Sequence, residues 1–305
     1  MKEIAILITC FNRREKTLAC LHDIYNSDKC EDINFDIFIV DGGSSDGTYE
    51  SILQMYPQVH IKKHQDLYWA GGMRKAWELA INYKNYDYFL LLNDDTHLYS
   101  YSINELLKAD QYSLSYYKKH GIYIGSTQNS KMNKITYGGR KLQKWGHLKN
   151  YIVFPKENTY QLCDLGNANI MLVTKEAYNI IGSFNQVYTH GIADYDYTLR
   201  ARKANIPVLV LPTYLGTCDN DHDNSWNYKL PLIQRIKFLY SPKGFAYNEY
   251  LYYIKTFFPQ HYITEATASF SGAKFLLAQS MKDWGTRIAG RIDAVHALLQ
   301  LDGHH

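Results

Sequence analysis

The sequence of 305 residues predicts an α/β protein built on a mixed, mainly parallel sheet flanked by helices. Short apolar runs alternate with amphipathic segments over roughly the first hundred residues, a pattern typical of parallel strands joined by right-handed helical crossovers. One run, Tyr88 to Leu92, is apolar or aromatic throughout, as expected for a strand buried on both faces. Because ligand sites in such sheets lie at the carboxyl ends of the strands, those ends direct the search for function.

In the first half the predicted order is strand and helix in strict alternation. The predicted strands are residues 4–10, 35–43, 59–64 and 86–95. The predicted helices are residues 13–27, 45–56 and 70–83. Ser45 or Asp46 is placed to cap the second helix.

The second half is more mixed. Residues 121–127, 166–174 and 206–212 indicate strands, and residues 175–184 and 194–205 indicate helices. From about residue 228 the pattern is helical and aromatic, with Trp284, Ile288, Ile292, Val295 and Leu299 at helical intervals. We therefore predict one domain over residues 1–227 and a helical extension over residues 228–305.

The composition excludes several classes of protein. The formal charge of +3 is too balanced to favour nucleic acid as a partner. The five scattered cysteines argue against a disulfide framework and fit a reducing compartment. The chain lacks a signal-peptide pattern at its start and an apolar run of the ~18 residues that span a bilayer, so we expect a cytoplasmic protein.

Polar residues follow several of the predicted strands. They are Thr9 to Arg13, Asp41 to Asp46, and Asn93 to Asp95. After Asp41, Gly42 and Gly43 allow the backbone to approach a ligand closely, and the carboxylate could accept from a base or a ribose hydroxyl. The alternative is a simple strand-to-helix turn with Asp46 as the cap. The segment lacks the GK[ST] of a P-loop and the spacing of a dinucleotide fingerprint.

Asn93, Asp94 and Asp95 allow two interpretations. Asn and Asp are good turn formers, so the segment could be a turn alone. Adjacent carboxylates at a rigid strand end could also hold a divalent cation, because Mg²⁺ is usually bound by one or two carboxylates plus substrate phosphates. We favour the metal site because the second strand also ends in polar residues.

Two further acidic clusters are candidates. Asp219, Asp221 and Asp223 alternate as in a calcium loop, but Asn224 and Leu230 stand where an EF-hand needs Gly and Glu, so that interpretation fails. His222 in the same segment could be a metal ligand or merely a solvated side chain. At the predicted helix start, Asp194 and Asp196 could act as helix caps or supply a general base.

Several segments together resemble the family 2 glycosyltransferases of the GT-A fold, a Rossmann-like fold for nucleotide-diphospho-sugar transfer. They are ITCFNRRE (8–15), IVDGGSSDGTYE (39–50), YWAGGMRKA (68–76), LLLNDDT (90–96), GNANIMLVTKEAYNIIGSFN (166–185) and GIADYDYTLRARKANIPV (191–208). They follow the family's order, and the NDDT form is most similar to rhamnosyltransferase-like members of cell-surface polysaccharide pathways.

The resemblance implies a role for each matching residue. The nucleotide sugar would be bound by Thr9, Asn12, Arg13, Asp41, Gly43, Gly72, Arg74, Asn93 and Asp94. Asp95 would ligate Mg²⁺ or Mn²⁺ together with His222, and Asp194 would be the catalytic base. The sequence departs from the family at Asn93, where Asp is usual, and at Ala193, where Glu is usual, which leaves Asp196 a rival base.

The implied activity is inverting, metal-dependent sugar transfer by a hexosyl- or deoxyhexosyltransferase. A UDP- or dTDP-linked sugar would be the donor, bound by residues 1–97. A hydroxyl of a glycan or lipid-linked glycan would be the acceptor, on residues 98–227. A nucleotidylyltransferase would carry glycines in the segment ITCFNRRE, which has none. A non-catalytic nucleotide-sugar-binding or scaffolding protein on the same fold remains the alternative.

The predicted C-terminal helices carry basic residues among apolar ones. These are Lys229, Arg235, Lys237, Lys243, Arg287 and Arg291. The helices could pack on the catalytic domain or on a second copy of the chain, giving a homo-oligomer. Alternatively they could lie against the anionic inner face of the cell membrane, where a lipid-linked acceptor would be held.

Overall fold

The structure, a computed structural model, describes residues 1–28, 32–219, 234, 237–238, 240–244 and 246–270, without the side chains of 267–270. The chain divides into two compact units. The first unit comprises Met1–Lys141 and Ile152–Asp219, and the second comprises Leu142–Tyr151 and Asn220–His305. The boundary predicted after residue 227 lies outside the described residues.

The first unit begins with the predicted alternation of strands and helices. The strands are β1 (Lys2–Cys10), β2 (Ile33–Asp41), β3 (His60–Lys63) and β4 (Tyr88–Leu92). The helices are α1 (Arg14–Tyr25), α2 (Thr48–Met55) and α3 (Trp69–Tyr83). Each predicted element is confirmed, with ends shifted by a few residues because the polar residues after β2 and β4 leave the sheet as turns.

The remaining elements vary more in length, and several strands have only two to four residues. The strands are β5 (His97–Leu98), β6 (Ile122–Gln128), β7 (Ile135–Tyr137), β8 (Gly139–Leu142), β9 (Asn150–Ile152), β10 (Gln161–Leu162), β11 (Leu165–Gly166), β12 (Ile170–Thr174) and β13 (Val208–Thr217). The helices are α4 (Ser102–Tyr117), α5 (Lys175–Ile181) and α6 (Ala193–Lys203). Helix α4 and strands β5, β7, β8, β9 and β10 were not predicted.

A ten-stranded mixed sheet organises the unit, in the order β10-β13-β6-β12-β4-β1-β2-β3, with β5 on β13 and β7 on β6. Strands β3, β2, β1 and β4 are parallel, and β12 runs antiparallel between β4 and β6. Strands β8, β9 and β11 form a separate three-stranded sheet. The parallel order places the carboxyl ends of β1, β2 and β4 at one edge, as the sequence predicts.

The core is continuous across the parallel strands. All five residues of β4 are buried, as the unbroken apolar run predicts. Helix α3 packs on β1 and β2, and its buried Trp77 contacts Phe89 of β4. This layer holds the strand ends rigidly, which allows short side chains to define a site there.

In the second unit the structure describes helices α7 (Tyr247–Phe257) and α8 (Tyr262–Phe270), joined by a 3₁₀ turn at Pro259–His261. Helix α7 confirms the helical and aromatic pattern that the sequence shows after residue 228. Buried Tyr250 donates to the Glu265 carboxylate at 2.6 Å. Among the helices that the structure describes, none has the length and apolar character needed to cross a bilayer. The predicted helix carrying Trp284 to Leu299 lies outside the described residues.

Candidate functional site

The turn after β2 is built around the Asp41 carboxylate. Asp41 Oδ1 accepts from the backbone N–H groups of Gly43 at 3.0 Å and Ser44 at 2.7 Å. Gly43 has φ +94°, a conformation that glycine adopts without strain. Asp41 is fully buried, and its Oδ2 has no hydrogen-bond partner among the described residues. That oxygen is therefore available to a donor group on a ligand.

Asn12 joins the end of β1 to the Asp41 turn. Its backbone N–H donates to Ser44 Oγ at 2.9 Å, and its Oδ1 accepts from Ser45 N at 2.8 Å. Asn12 has φ +51°, which asparagine tolerates better than most residues. Asp46 accepts from Thr48 N at 3.1 Å, although the N-cap position of α2 is Gly47. The expected cap therefore acts from one residue further upstream.

Asn93 to Asp95 form a turn, closed by the Thr96 N–H bond to Asn93 O at 3.1 Å. The turn interpretation is thus correct as local geometry, and it places both carboxylates beside Arg13. Arg13 Nη1 lies 3.2 Å from Asp94 Oδ1 and 2.5 Å from Asp95 Oδ2. One guanidinium nitrogen therefore contacts the carboxylates of both Asp94 and Asp95.

The two carboxylates differ in how completely the protein satisfies them. Asp94 is buried, and its second oxygen accepts from Thr17 Oγ1 at 3.1 Å. Burial raises the pKa of Asp94 to about 7, although Arg13 opposes that shift. Burial would lower the pKa of Arg13, but Asp94 and Asp95 raise it. Asp95 Oδ1 is 3.6 Å from the Cys218 thiol, so Asp95 has the weaker set of protein partners among the described residues.

Asn93 is oriented by Trp69, the first residue of α3. The indole Nε1 donates to Asn93 Oδ1 at 2.8 Å, and Asn93 N donates to Asn169 O at 3.2 Å. An amide at this position thus keeps the acceptor oxygen that the indole requires. The departure from the family's Asp is compatible with the local hydrogen bonds.

Residues Asn167 to Asn169, just before β12, link the acidic turn to the start of α6. Asn169 Nδ2 lies 3.6 Å from Cys218 Sγ, and its carbonyl accepts from Asn93. Asn167 Nδ2 and Ala168 N both donate to Asp194 Oδ2 at 3.3 Å. Asp194 and the acidic turn are therefore held by the same three-residue segment.

Asp194 and Asp196 occupy different environments. Helix α6 has Ile192 at its N-cap position, so neither aspartate is the N-cap residue. Burial raises the pKa of Asp194 to about 6, against the opposing effect of its backbone and Asn167 hydrogen bonds. Asp196 is buried and engaged at both oxygens, by Tyr188 OH at 3.1 Å and Arg200 Nε at 2.7 Å.

Two arginines hold the segment between α5 and α6. Arg200 donates to the carbonyls of Ile181 and Ser183, and Arg74 donates to those of Asn185 at 3.0 Å and Tyr188 at 2.7 Å. The diphosphate contact expected of Arg74 stays a prediction. These bonds fix the backbone that leads into Asp194.

Thr9 and Gly72 contact each other across the interface of β1 and α3. Thr9 Oγ1 donates to Val40 O at 3.1 Å, and a Cβ at position 72 would lie 2.3 Å from Thr9 Oγ1. The nucleotide-binding roles expected of both residues stay predictions. The close approach brings the first turn of α3 against the end of β1.

Oxygen ligands for a divalent cation are present at the acidic turn, in Asp94 and Asp95. No group of three or more His, Cys, Asp or Glu side chains converges within the described part of the chain. His222, the other expected ligand, lies outside it. A cation here would therefore be held by one or two carboxylates and by ligands from the substrate.

Sequence reasoning missed several residues of the site. Thr17, Trp69, Asn169 and Cys218 contact the acidic turn, and half-exposed Phe11 lies beside Gly42. Trp69 and Asn169 occur within the segments that matched the family, so the resemblance could have identified them. Thr17 carries no such signal, because its position on α1 matters only once the strands are assembled.

Comparison with known proteins supports the fold and supplies the family. A similar solved structure is the mannosyltransferase PcManGT from Pyrobaculum calidifontis in complex with GDP-Man and Mn²⁺. The TM-score is 0.51 at 10% identity, with 98% of this chain and 74% of that chain covered, so the likeness concerns the fold. No curated protein matches the sequence. The model of "Glycosyl transferase family 2" matches residues 5–162, and the chain belongs to that family.

Proposed function

We propose that the protein transfers a sugar from a nucleoside-diphosphate sugar to a hydroxyl of a glycan or lipid-linked glycan, with inversion at the anomeric carbon. One observation supports this most directly. A series of contacts runs from Asp41 through Asn12 and Arg13 to the acidic turn, and from there through Asn169 to Asp194. The carboxylate that we propose for the nucleotide, the turn that we propose for the diphosphate and the aspartate that we propose as base therefore lie within one connected series of contacts.

In this proposal Asp194 is the general base. Its raised pKa, about 6, lets it hold a proton transiently while remaining mostly ionised near neutral pH. Asp196 is less suited, because it is buried and paired with the Arg200 guanidinium, whereas Asp194 is partly exposed and accepts, among the described residues, only from the uncharged donors Tyr195 N, Ala168 N and Asn167 Nδ2. Asp194 removes the proton of the acceptor hydroxyl while the hydroxyl oxygen attacks the anomeric carbon. The bond to the diphosphate breaks on the opposite face of the sugar.

Asp94 and Asp95 fit a hard divalent cation, since both offer carboxylate oxygens at a rigid strand end. They would hold Mg²⁺ or Mn²⁺, which when bound offsets the negative charge that develops on the departing diphosphate. The similar mannosyltransferase structure is a complex with Mn²⁺, so Mn²⁺ is the first ion to test. Asn93 accepts from Trp69 through its Oδ1, so its Nδ2 can donate a hydrogen bond to the nucleotide sugar.

Asp41 and Phe11 suit the nucleoside half of the donor. Asp41 Oδ2 accepts from a base N–H or a ribose hydroxyl, and it lacks a protein partner within the described residues. Phe11 lies beside Gly42 and is 47% exposed, and the base can stack on its ring. UDP- or dTDP-linked hexoses or deoxyhexoses are the donors that we propose, in cell-surface polysaccharide synthesis. GDP-linked mannose is added as a candidate because the similar structure contains it.

Calorimetric titration with UDP, dTDP and GDP, each with and without Mn²⁺, tests this function. Wild type is compared with Asp95→Ala and with Asp87→Ala, an exposed aspartate at the opposite end of β4. We expect one nucleotide to bind with Mn²⁺, and binding to weaken strongly without Mn²⁺ or in Asp95→Ala but not in Asp87→Ala. Absence of binding under all conditions would contradict the proposal.

The non-catalytic alternative predicts the same binding without turnover. Hydrolysis of the matching nucleotide sugar to free nucleoside diphosphate, with water as the acceptor, discriminates between them. We expect slow release of the nucleoside diphosphate by wild type and none by Asp194→Asn. Binding without release in the presence of a glycan acceptor pool would favour the scaffolding function.

A further inference from the structure

Arg13 has a position that the implied roles do not explain. Its Nη1 contacts Asp94 and Asp95 together, at 3.2 and 2.5 Å. A divalent cation bound by these residues would need the same oxygens, Asp95 Oδ2 above all. A bound cation and Arg13 in this position would therefore compete for one carboxylate.

The alternative partners of the two carboxylates show which contact can be exchanged. Asp94 keeps Thr17 as a second donor, at 3.1 Å, if Arg13 leaves. Within the described part of the chain, Asp95 would keep only the weak thiol contact at 3.6 Å. Loss of Arg13 would leave adjacent carboxylates without a counter-charge, which is strongly unfavourable in a partly buried site. Arg13 therefore leaves most readily when another cation takes its place.

Arg13 is anchored in its backbone and movable in its side chain. It is the N-cap residue of α1, and its carbonyl accepts from Thr17 N at 2.9 Å. Its side chain is 35% exposed. Beside it lies a cavity of about 310 Å³ whose lining includes Asn12, Arg14 and Lys16. The guanidinium can turn toward this cavity without disturbing the helix.

We propose that Arg13 occupies the cation position between Asp94 and Asp95 in the free protein, and that it transfers to the donor diphosphate when a divalent cation takes Asp95. This inference rests on the proposed function. A guanidinium binds phosphate oxygens in a bidentate manner. The exchange therefore replaces the contacts of Arg13 with Asp94 and Asp95 by a contact of Arg13 with the diphosphate and a contact of the cation with Asp95. Arg13 would thereby couple binding of the cation to binding of the diphosphate.

The exchange predicts opposite effects of Arg13→Gln on two ligands. Without nucleotide, we expect Mn²⁺ to bind about tenfold more tightly to Arg13→Gln than to wild type, because the competing cation is gone. With Mn²⁺ saturating, we expect the nucleoside diphosphate to bind about tenfold more weakly. Free Mn²⁺ measured by electron paramagnetic resonance gives the first affinity, and calorimetry gives the second. Lys108→Gln, the same charge change at an exposed residue of α4, should change neither by more than about twofold.

Unchanged or weaker Mn²⁺ binding by Arg13→Gln would overturn the proposal. If Mn²⁺ binding tightens but the affinity for nucleotide does not change, the transfer to the diphosphate is wrong. If no nucleotide binds even to wild type, the proposed function fails. Comparing the Mn²⁺ affinities of wild type and Arg13→Gln still tests whether Arg13 and the cation compete for Asp95. Should Arg13→Gln not fold, the same comparison is made with Arg13→Met, which also removes the charge and keeps an unbranched side chain. The same tightening of Mn²⁺ binding is expected with that variant, and its absence would overturn the proposal.

Discussion

Thr9 lies directly against Gly72, so that a Cβ at position 72 would stand 2.3 Å from Thr9 Oγ1 and 2.9 Å from Thr9 Cβ. This approach sets how closely α3 packs on β1. Both elements lead into the site, since β1 ends before Arg13 and α3 begins with Trp69. The spacing of the layer therefore determines the position of the residues that hold the acidic turn.

Gly72→Ala should destabilise the fold by about 1–3 kcal/mol, because the Thr9 side chain or α3 must shift to accommodate the methyl group. Gly71→Ala is the matched control, since its Cβ would meet the flexible end of Leu67 at 3.2 Å and lie in ordinary contact with Arg74 Nη2 at 3.7 Å. That control should be neutral or more stable by up to about 1 kcal/mol, as alanine favours helices. Urea denaturation of both variants measures the difference. Equal stabilities would show that α3 is not confined by Thr9.

The parallel half of the sheet could be predicted from sequence because each element carries a strong local pattern. Tyr88 to Leu92 is apolar without interruption, and the polar residues after each strand follow the rule that strand ends form the site. The family resemblance then supplied roles by position. What these patterns fix is the order of elements and the residue types at the strand ends.

Contacts between distant residues could not be predicted in the same way. The pairing of Arg13 with Asp95 joins residues 82 apart, and the link from Ala168 to Asp194 depends on how β12 lies beside β4. Helix α4 was missed although it buries Leu106 and Leu107, because its polar residues weaken the apolar periodicity. Such features depend on assembled geometry rather than on any single segment.

Asp194→Asn should lower kcat by about 10²–10⁴-fold and leave nucleotide affinity nearly unchanged, because it removes the general base and keeps the size of the side chain. Asn can still accept from Ala168 N through its amide oxygen. Release of nucleoside diphosphate in the presence of acceptor measures kcat, and calorimetry measures donor binding. A comparable loss of nucleotide binding would instead indicate that Asp194 contacts the donor.

The pH dependence of the reaction should reflect Asp194. Burial raises its pKa to about 6, and a base acts only when it is deprotonated. We therefore expect kcat/KM to rise with pH through about 6 and to level off above it. A rate profile from pH 5 to 8 at constant ionic strength and saturating metal tests this. A rate that falls across this range would exclude Asp194 as the base.

Asp196→Asn should act mainly on stability. Asp196 and Arg200 form a buried pair at 2.7 Å, and Arg200 also holds the carbonyls of Ile181 and Ser183. Removing the carboxylate leaves the guanidinium without its counter-charge, at a cost of about 3–5 kcal/mol at most, since Arg200 remains 24% exposed. Denaturant unfolding should give this variant a clearly lower free energy of unfolding than Asp194→Asn. A loss of kcat at unchanged stability would instead make Asp196 the base.

Asp41→Asn should weaken nucleotide binding and leave the fold intact. The amide oxygen can replace Oδ1 as the acceptor for Gly43 and Ser44, whereas the amide nitrogen turns the buried Oδ2 position from an acceptor into a donor. A lost hydrogen bond to a charged acceptor costs about 1.5–3 kcal/mol, which corresponds to a roughly 10–100-fold weaker nucleotide. Asp46→Asn is the control, because that carboxylate bonds Thr48 and Arg14 within the protein. Titration with the matching nucleotide and Mn²⁺ should show weaker nucleotide binding by Asp41→Asn than by Asp46→Asn. Equal affinities would show that Asp41 stabilises only the turn after β2.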